Sequence, residues 1–248
     1  MMKVNTRTKI YNAIPRGIIK KWESYKHNKL LYRCIPEGEF YDNGLFSNLR
    51  DSKKYYSQYG QDYFLDKVIF NGKKDGFFID IGANHPYELS NSYYFESIGW
   101  KGIAFEPQAE LCDLWKNART TPCYNYALGN SRSEIAFVGS GICAGVKEVV
   151  ENSEKLNEVM VKQERLETIL DNLNISRVDF VSIDVEGYEL EVLKGINWSK
   201  VNIQCFIIEN NKDEELPNTY LRDYMRARGY RFVGRVVIDD IFLKEPRV

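Results

Sequence analysis

From residue 77 onward, short apolar runs alternate with segments in which apolar residues recur at helical spacing. The apolar runs predict strands at 77–82, 102–106, 122–126, 178–184 and 203–209. The amphipathic segments predict helices at about 91–99, 108–117, 165–173, 188–196 and 216–228. Runs 178–184 and 203–209 are mostly apolar on both strand faces, which is typical of central parallel strands covered by helices on both sides.

The end of the chain has a different pattern. Two apolar runs, at 230–237 and 241–244, surround Asp239-Asp240 and predict a hairpin. Short runs near 134–138 and 159–163 predict two further strands. Five strand–helix units followed by a hairpin predict an α/β fold with helices on both faces of the sheet and one antiparallel strand at or near its edge.

Residues 1–53 do not join this alternation, and we expect them to form an extension to a domain that spans residues 54–248. The extension contains apolar residues at helical spacing, namely Ile10, Ile14, Ile18, Trp22 and Tyr25. The spacing predicts an amphipathic helix, which Pro15 would kink or split. Residues 1–33 carry nine Lys or Arg residues against a single acid. Three interpretations stay open: a helix packed on the domain, a basic segment in peripheral contact with an anionic membrane, or an organelle presequence.

Composition narrows the class of protein. The 34 basic and 35 acidic residues nearly cancel, so the overall charge gives no indication of nucleic-acid binding. The five cysteines are scattered without a C-x-x-C pair, which argues against a disulfide framework or a zinc site and for a reducing compartment. No apolar run approaches the ~20 residues that span a bilayer, and the N-terminus lacks the apolar core of a secretory signal. We expect a cytoplasmic protein, either free or peripheral to the inner face of the membrane.

The candidate chemistry begins where the first strand ends. The run 77–81 stops at Gly82-Ala83-Asn84, and the run 102–105 ends in Glu106-Pro107. Glycine lets the backbone approach a ligand closely, and an acid at the tip of the next strand can hold both ribose hydroxyls. The three-glycine dinucleotide fingerprint and the Gly-Lys-Ser/Thr phosphate loop are both absent from the sequence. A ribose-binding acid without a phosphate cradle suits S-adenosylmethionine, which has a ribose and no phosphate.

Polar residues also follow two later strands. Asp184 and Glu186 come after the run 178–183, and Glu209 with Asn210 ends the run 203–208. An isolated acid after a strand is usually a helix cap or a solvated loop residue. Acids at four strand ends of one sheet favour a ligand site, because ligands of open α/β sheets bind at the carboxyl edge.

Four segments carry these motifs: residues 57–62 (SQYGQD), 78–84 (FIDIGAN), 99–107 (GWKGIAFEP) and 182–189 (SIDVEGYE). Together they resemble the FkbM family of S-adenosylmethionine methyltransferases. The resemblance covers about residues 55–245, and IDVEGYE directly after an apolar strand is its most specific part. It implies a class I methyltransferase fold, which is Rossmann-like with a seven-stranded sheet, and O-methylation, often of a sugar hydroxyl.

The resemblance also implies roles for individual residues. Glu106 is expected to hold the ribose hydroxyls and Asp80 the ammonium of the cofactor, with the methionine part against Gly82 and Ala83. Gln58 and Gln61 are expected to close over the carboxylate end of the cofactor, and the alternative is that they begin a surface helix. The full set of expected cofactor-binding residues is Gln58, Gln61, Asp80, Gly82, Ala83, Asn84, Glu106, Pro107, Ala127, Leu128 and Asp184.

Two mechanisms for activating the acceptor stay open. A sugar hydroxyl is a poor nucleophile, so Asp184 or Glu186 is a candidate general base, and His85 is a competing candidate or simply a loop histidine. Alternatively, Asp184, Glu209 and Asn210 offer hard oxygen ligands for Mg²⁺, unless Glu209-Asn210 merely ends a strand. The expected acceptor is a hydroxyl of a surface glycan or glycolipid, as in polysaccharide biosynthesis. A small-molecule natural product and a non-catalytic cofactor-binding scaffold are the alternatives.

Overall fold

The computed structural model describes residues 41–42, 55–150, 152–210 and 219–246. These residues form an eight-stranded sheet, a separate four-stranded sheet and six α-helices. The strands are β1 Tyr41–Asp42, β2 Phe77–Ile81, β3 Lys101–Phe105, β4 Cys123–Tyr124, β5 Ala127–Leu128, β6 Ser133–Val138, β7 Gly145–Val146, β8 Glu158–Glu164, β9 Arg177–Ile183, β10 Asn202–Glu209, β11 Tyr230–Val236 and β12 Asp239–Lys244. The helices are α1 Gln61–Phe64, α2 Tyr93–Ser97, α3 Ala109–Ala118, α4 Leu166–Asn172, α5 Glu189–Lys194 and α6 Thr219–Arg226.

The large sheet has the strand order β1-β11-β12-β10-β9-β2-β3-β4. Strand β12 is antiparallel to both of its neighbours, and the other described pairs in this sheet are parallel. The sheet thus has one antiparallel strand, two places from its edge. Helices between parallel strands bring the chain back across the sheet, so the carboxyl ends of β2, β3, β9 and β10 share one edge.

The seven-stranded sheet that the sequence predicts is corrected to eight strands. Residues 77–244 supply seven of them, and Tyr41–Asp42 adds the eighth by pairing in parallel with Arg235 and Val236. An uncovered β11 would expose a row of unpaired backbone groups at the sheet edge, and β1 satisfies some of them. The remainder of the predicted helical extension lies outside the described residues.

The predicted strand at 122–126 is shortened to β4. The chain turns immediately after it. The side-chain Nδ2 of Asn125 stabilises this turn by donating to the backbone carbonyls of Glu106 and Pro107, both at 2.9 Å. Strands β5 to β8 then form the small sheet, in the order β5-β8-β6-β7. The short runs near 134–138 and 159–163 are β6 and β8 of this sheet, which pair with each other in antiparallel register.

The core lies on both faces of the large sheet. Along β2, Ile79 and Ile81 pack in one cluster of buried side chains, and Phe78, which precedes Ile79, packs in the other. Phe180 and Val181 of β9 are divided in the same way. Apolar residues on both strand faces are therefore buried under helices on either side. No helix within the described ranges is long and apolar enough to cross a membrane.

Candidate functional site

The register of the large sheet brings the strand ends to one level. Ile81 of β2 is paired with Phe105 of β3 and with Ile183 of β9. Ile183 is in turn paired with Ile208 of β10. The residues that follow these four are Gly82, Glu106, Asp184 and Glu209, so they form a row across the carboxyl edge.

A cavity of about 330 Å³ opens at this row. Its walls come from the strand ends, from the segment before α1 and from the small sheet. The cavity lining includes every residue that the sequence suggests for cofactor binding or acid–base chemistry, namely Gln58, Gln61, Asp80, Gly82, Ala83, Asn84, His85, Glu106, Pro107, Ala127, Leu128, Asp184 and Glu186. Glu209 also lines it, but Asn210 is not among the lining residues.

Gly82 is the position where the backbone leaves no room for a side chain. Its φ is +77°, and a Cβ built there would lie 1.7 Å from the carbonyl oxygen of Asp184. The amides of Gly82 and Ala83 both donate to the carbonyl of Phe105 at 3.0 Å. The turn is therefore locked against β3 and β9, and it presents bare backbone to the cavity.

Glu106 is held rigidly at the end of β3. Its Oε2 accepts a hydrogen bond from the amide of Asn84 and its Oε1 accepts one from the amide of Gln108, each at 2.8 Å. The residue is 2% exposed, and this burial raises the pKa of its carboxyl, while the two backbone donors act in the opposite direction. Two bonds from the backbone fix the plane of the carboxylate and leave further acceptor sites on both oxygens.

Asp80 is buried behind the glycine turn. Its Oδ2 accepts a hydrogen bond of 2.5 Å from the hydroxyl of Ser92, which itself accepts one of 3.0 Å from Arg119. Burial raises the pKa of Asp80 to about 6, although Ser92 and Arg119 lower it. Sequence reasoning did not identify Ser92 or Arg119, since nothing in their local pattern distinguishes them from other loop residues.

Three carboxyl groups meet on the other half of the site. Oxygen atoms of Asp184, Glu186 and Glu209 all lie within 4.8 Å of one another. Burial raises the pKa of all three, and the neighbouring charges raise it most for Glu209. The pKa of Glu186 rises to about 7. We infer that Glu209 is protonated and donates to Asp184, because two adjacent carboxylates cannot both ionise cheaply.

The backbone at Glu186 and Gly187 explains how two acids of one motif reach the same cluster. Both residues have positive φ, +55° for Glu186 and +97° for Gly187. The left-handed region is uncommon for a residue such as glutamate, and backbone strain of this kind clusters at functional sites. The Glu189 carboxylate stabilises the turn by accepting a hydrogen bond of 2.8 Å from the amide of Gly187.

Asp239 is a site residue that the sequence analysis did not identify as one. It opens β12 in register with Glu209, lines the cavity, and accepts a hydrogen bond of 2.7 Å from Nε2 of Gln61. Burial raises its pKa to about 7. The sequence offered a signal, since two consecutive acids precede an apolar run, but the pattern was interpreted as a hairpin around Asp239-Asp240.

The predicted metal set of Asp184, Glu209 and Asn210 is not brought together. The Asn210 amide donates at 2.8 Å to Asp240, a fully buried carboxylate that also accepts bonds from Arg222 and Arg235. Asn210 is thus engaged in a neighbouring network. Glu186, instead of Asn210, lies beside Asp184 and Glu209. Among the described residues, the carboxyl groups of these three acids are close enough together to hold a cation.

Nδ1 of His85 accepts two backbone hydrogen bonds, which leaves Nε2 as a donor. The two bonds come from the amides of Glu88 at 3.0 Å and Tyr87 at 3.3 Å. Neutral His85 therefore carries its proton on Nε2, and no ring nitrogen is left to accept a proton from an acceptor hydroxyl. The geometry favours Asp184 over His85 as the candidate base.

The small sheet closes the cavity on one side. Ala127 and Leu128, expected to border the adenine, form β5, and Phe137 and Val146 add apolar surface from β6 and β7. Gln108 joins this wall to the large sheet: its side chain accepts a bond of 2.8 Å from the Gly141 amide and donates one of 3.0 Å to the Gly141 carbonyl. The aromatic residues that line the cavity are Tyr59, Tyr126, Phe137 and Tyr188.

Comparison with known proteins points to one family. The model of the methyltransferase FkbM domain matches residues 80–232, more than half of the chain. A curated protein, hexuronic acid methyltransferase AglP of Haloferax volcanii, is 29% identical over 155 residues. The aligned part covers 60% of this chain and 62% of that relative.

Proposed function

The chain belongs to the FkbM family of methyltransferases, and we propose that it transfers a methyl group from S-adenosylmethionine to a hydroxyl of a sugar in a glycan or glycolipid. Methyltransferases of this family typically use S-adenosylmethionine. The sugar acceptor is supported by the similarity to AglP, a hexuronic acid methyltransferase. The observation that carries the proposal is the row of Gly82, Glu106 and Asp184 around one cavity.

The residues of the cavity fit this cofactor. The missing Cβ at Gly82 lets the turn pack against the carbonyl of Asp184, and the methionine part is assigned to the backbone of Gly82 and Ala83, which line the cavity. The free acceptor sites of Glu106 suit two ribose hydroxyls, and Asp80 suits an ammonium group. Gln58 and Gln61 are assigned to the carboxylate end, and Ala127 and Leu128 to the edge of the adenine. When bound, the cofactor supplies an electrophilic methyl group on a sulfonium.

The chain's own contribution to the reaction is to hold and activate the acceptor. Protonated Glu209 donates a hydrogen bond to Asp184, which keeps Asp184 ionised and fixes its orientation. Ionised Asp184 then accepts the proton of the acceptor hydroxyl as the methyl group is transferred. Its raised pKa makes it a stronger base than an exposed aspartate. The small sheet and Gln108 form the wall of the cavity beside this step.

Calorimetry with S-adenosylhomocysteine and a transfer assay with labelled S-adenosylmethionine test the proposal. We expect micromolar binding and incorporation of label into one or more members of a glycan and glycolipid panel. Failure to bind S-adenosylhomocysteine would favour a scaffold without catalytic function. Incorporation into small natural products alone would reassign the acceptor.

A divalent cation is the second mechanism that a specific observation favours. Asp184, Glu186 and Glu209 offer the hard oxygen ligands that Mg²⁺ prefers, although close carboxylates also share protons without a metal. The two mechanisms predict opposite responses to chelation. With a metal, EDTA abolishes transfer and Mg²⁺ restores it; with general-base catalysis, activity in EDTA is unchanged.

A further inference from the structure

Building on the sugar O-methylation proposed above, we propose that the sugar methylated by this protein carries no carboxylate, and that the cavity selects a neutral polyol and rejects a hexuronic acid. The hexuronic acid named for AglP is anionic at neutral pH. The acceptor of this protein would then differ in charge from the hexuronic acid in the name of AglP. The inference rests on the charges and hydrogen bonds of the cavity wall.

The first observation is the charge of the wall. Seven carboxyl side chains line the cavity: Asp80, Glu88, Glu106, Asp184, Glu186, Glu209 and Asp239. Among the described lining residues there is no Lys and no Arg. A carboxylate on the acceptor would therefore meet the ionised Asp184 and would find no Lys or Arg to pair with among the described lining residues. Like-charge contacts are a common way in which binding sites reject a wrong partner.

The second observation is that the amide side chains in the wall already donate to the protein. Gln58 donates to Tyr59, Gln61 to Asp239, Asn91 to Ser182 and Gln108 to Gly141. The amides of Gly82, Ala83 and Asn84 are likewise bonded to backbone or to Glu106. A carboxylate needs several donors when it leaves water, and the remaining N–H groups of Gln58 and Gln61 are assigned to the carboxylate of the cofactor, so they do not serve the acceptor.

Acceptors, in contrast, remain available. Within the described part of the chain, no donor is hydrogen-bonded to the carboxyl group of Glu186. The carboxyl group of Glu209 is hydrogen-bonded to that of Asp184. Oδ1 of Asn91 is a buried acceptor without a partner in the described residues. Each hydroxyl of a sugar donates one hydrogen bond, and hydrogen bonds to carboxylates are among the stronger ones. A wall rich in acceptors and poor in donors is complementary to a polyol.

Paired acceptors test the inference directly. Methyl glycosides of glucose, galactose and mannose, and of the corresponding uronic acids, are offered to the full chain with labelled S-adenosylmethionine, in EDTA and in Mg²⁺. We expect transfer to at least one neutral hexoside, with kcat/KM at least about tenfold above its uronic acid counterpart. Equal or better use of the uronic acid, in either buffer, would overturn the inference.

Two Glu→Gln variants show whether the discrimination comes from the cavity or from the net charge of the protein. Glu186→Gln removes one carboxylate and adds a donor, so binding of the uronic acid to the protein saturated with S-adenosylhomocysteine should strengthen by about tenfold relative to the neutral sugar. Glu134→Gln makes the same change on the exposed face of β6, outside the cavity lining, and should leave the ratio unchanged. An identical shift in both variants would also overturn the inference.

The same experiment distinguishes failure of the function itself. If S-adenosylhomocysteine binds but neither member of any sugar pair accepts a methyl group, the sugar acceptor is wrong and the inference falls with it. If a sugar accepts the methyl group but the uronic acid is preferred, the proposed function stands and the inference alone is lost.

Discussion

Replacing Glu106 by glutamine keeps the shape of the side chain but turns one acceptor oxygen into a donor. Both oxygens of Glu106 accept a backbone N–H, so the new amide faces either Asn84 or Gln108 donor to donor. The variant also loses the charge that suits it to ribose hydroxyls. Hydrogen bonds to a charged group contribute about 1.5–3 kcal/mol, so we expect S-adenosylhomocysteine to bind roughly 10- to 150-fold more weakly.

A ligand pair shows whether that loss comes from the ribose. Calorimetry compares S-adenosylhomocysteine with its 2′,3′-dideoxy analogue on the wild type and on Glu106→Gln. The wild type should discriminate strongly between the two ligands and the variant weakly, which is a double-mutant cycle between residue and ligand. Glu110→Gln, on the exposed first turn of α3, is the matched control. Equal losses for both ligands would refute the ribose contact and leave Glu106 as a support for the turn.

Further changes address the glycine turn, the base, the buried acids and the N-terminus. Gly82→Ala should lower the free energy of unfolding by about 2 kcal/mol or more in urea titrations, because φ is +77° and Asp184 blocks the Cβ. Asp184→Asn should lower kcat by about 100-fold or more with little effect on cofactor affinity, and should abolish the loss of activity that protonation causes at acid pH. Asp239 has a pKa raised from 3.8 to about 7, so its stabilising proton is lost as the pH rises through that range. Asp239→Asn should therefore raise the free energy of unfolding at pH 8, by up to about 4 kcal/mol, and leave it unchanged at pH 4. Scanning calorimetry at the two pH values would show this. Deleting residues 1–33, which spares β1, should abolish co-sedimentation with anionic vesicles if the basic segment contacts a membrane.

The sequence predicts the large sheet well because its strands are buried on both faces. The mostly apolar runs in β9 and β10 predict strands, and the observed bounds differ from the predicted ones by at most one residue. Strands β1, β5 and β7 have two residues each, which is too short for any periodicity. They exist because a neighbouring strand offers unpaired backbone groups, and for β1 and β5 that neighbour is distant in sequence.

The acids at the carboxyl edge could be predicted because each directly follows an apolar run. Parallel strands place those positions in a row whatever their separation along the chain. Asn210 was misplaced, because its partner Asp240 lies in another strand and is held by Arg222 and Arg235. Asn210 and Arg222 are 30 and 18 residues from Asp240 in the chain, and no local sequence pattern indicates such contacts.

The buried acids argue for function on energetic grounds. Burial raises the pKa of Asp80, Glu186 and Asp239, so each is easier to bury as a neutral group, and an amide of the same shape would serve a purely structural role with less cost. Residues that cost stability in this way are expected where activity requires them. A wall of carboxylates without Lys or Arg among its described residues attracts a cationic methyl donor and accepts protons from hydroxyl groups. The same charges that destabilise the fold therefore suit both substrates of the proposed reaction.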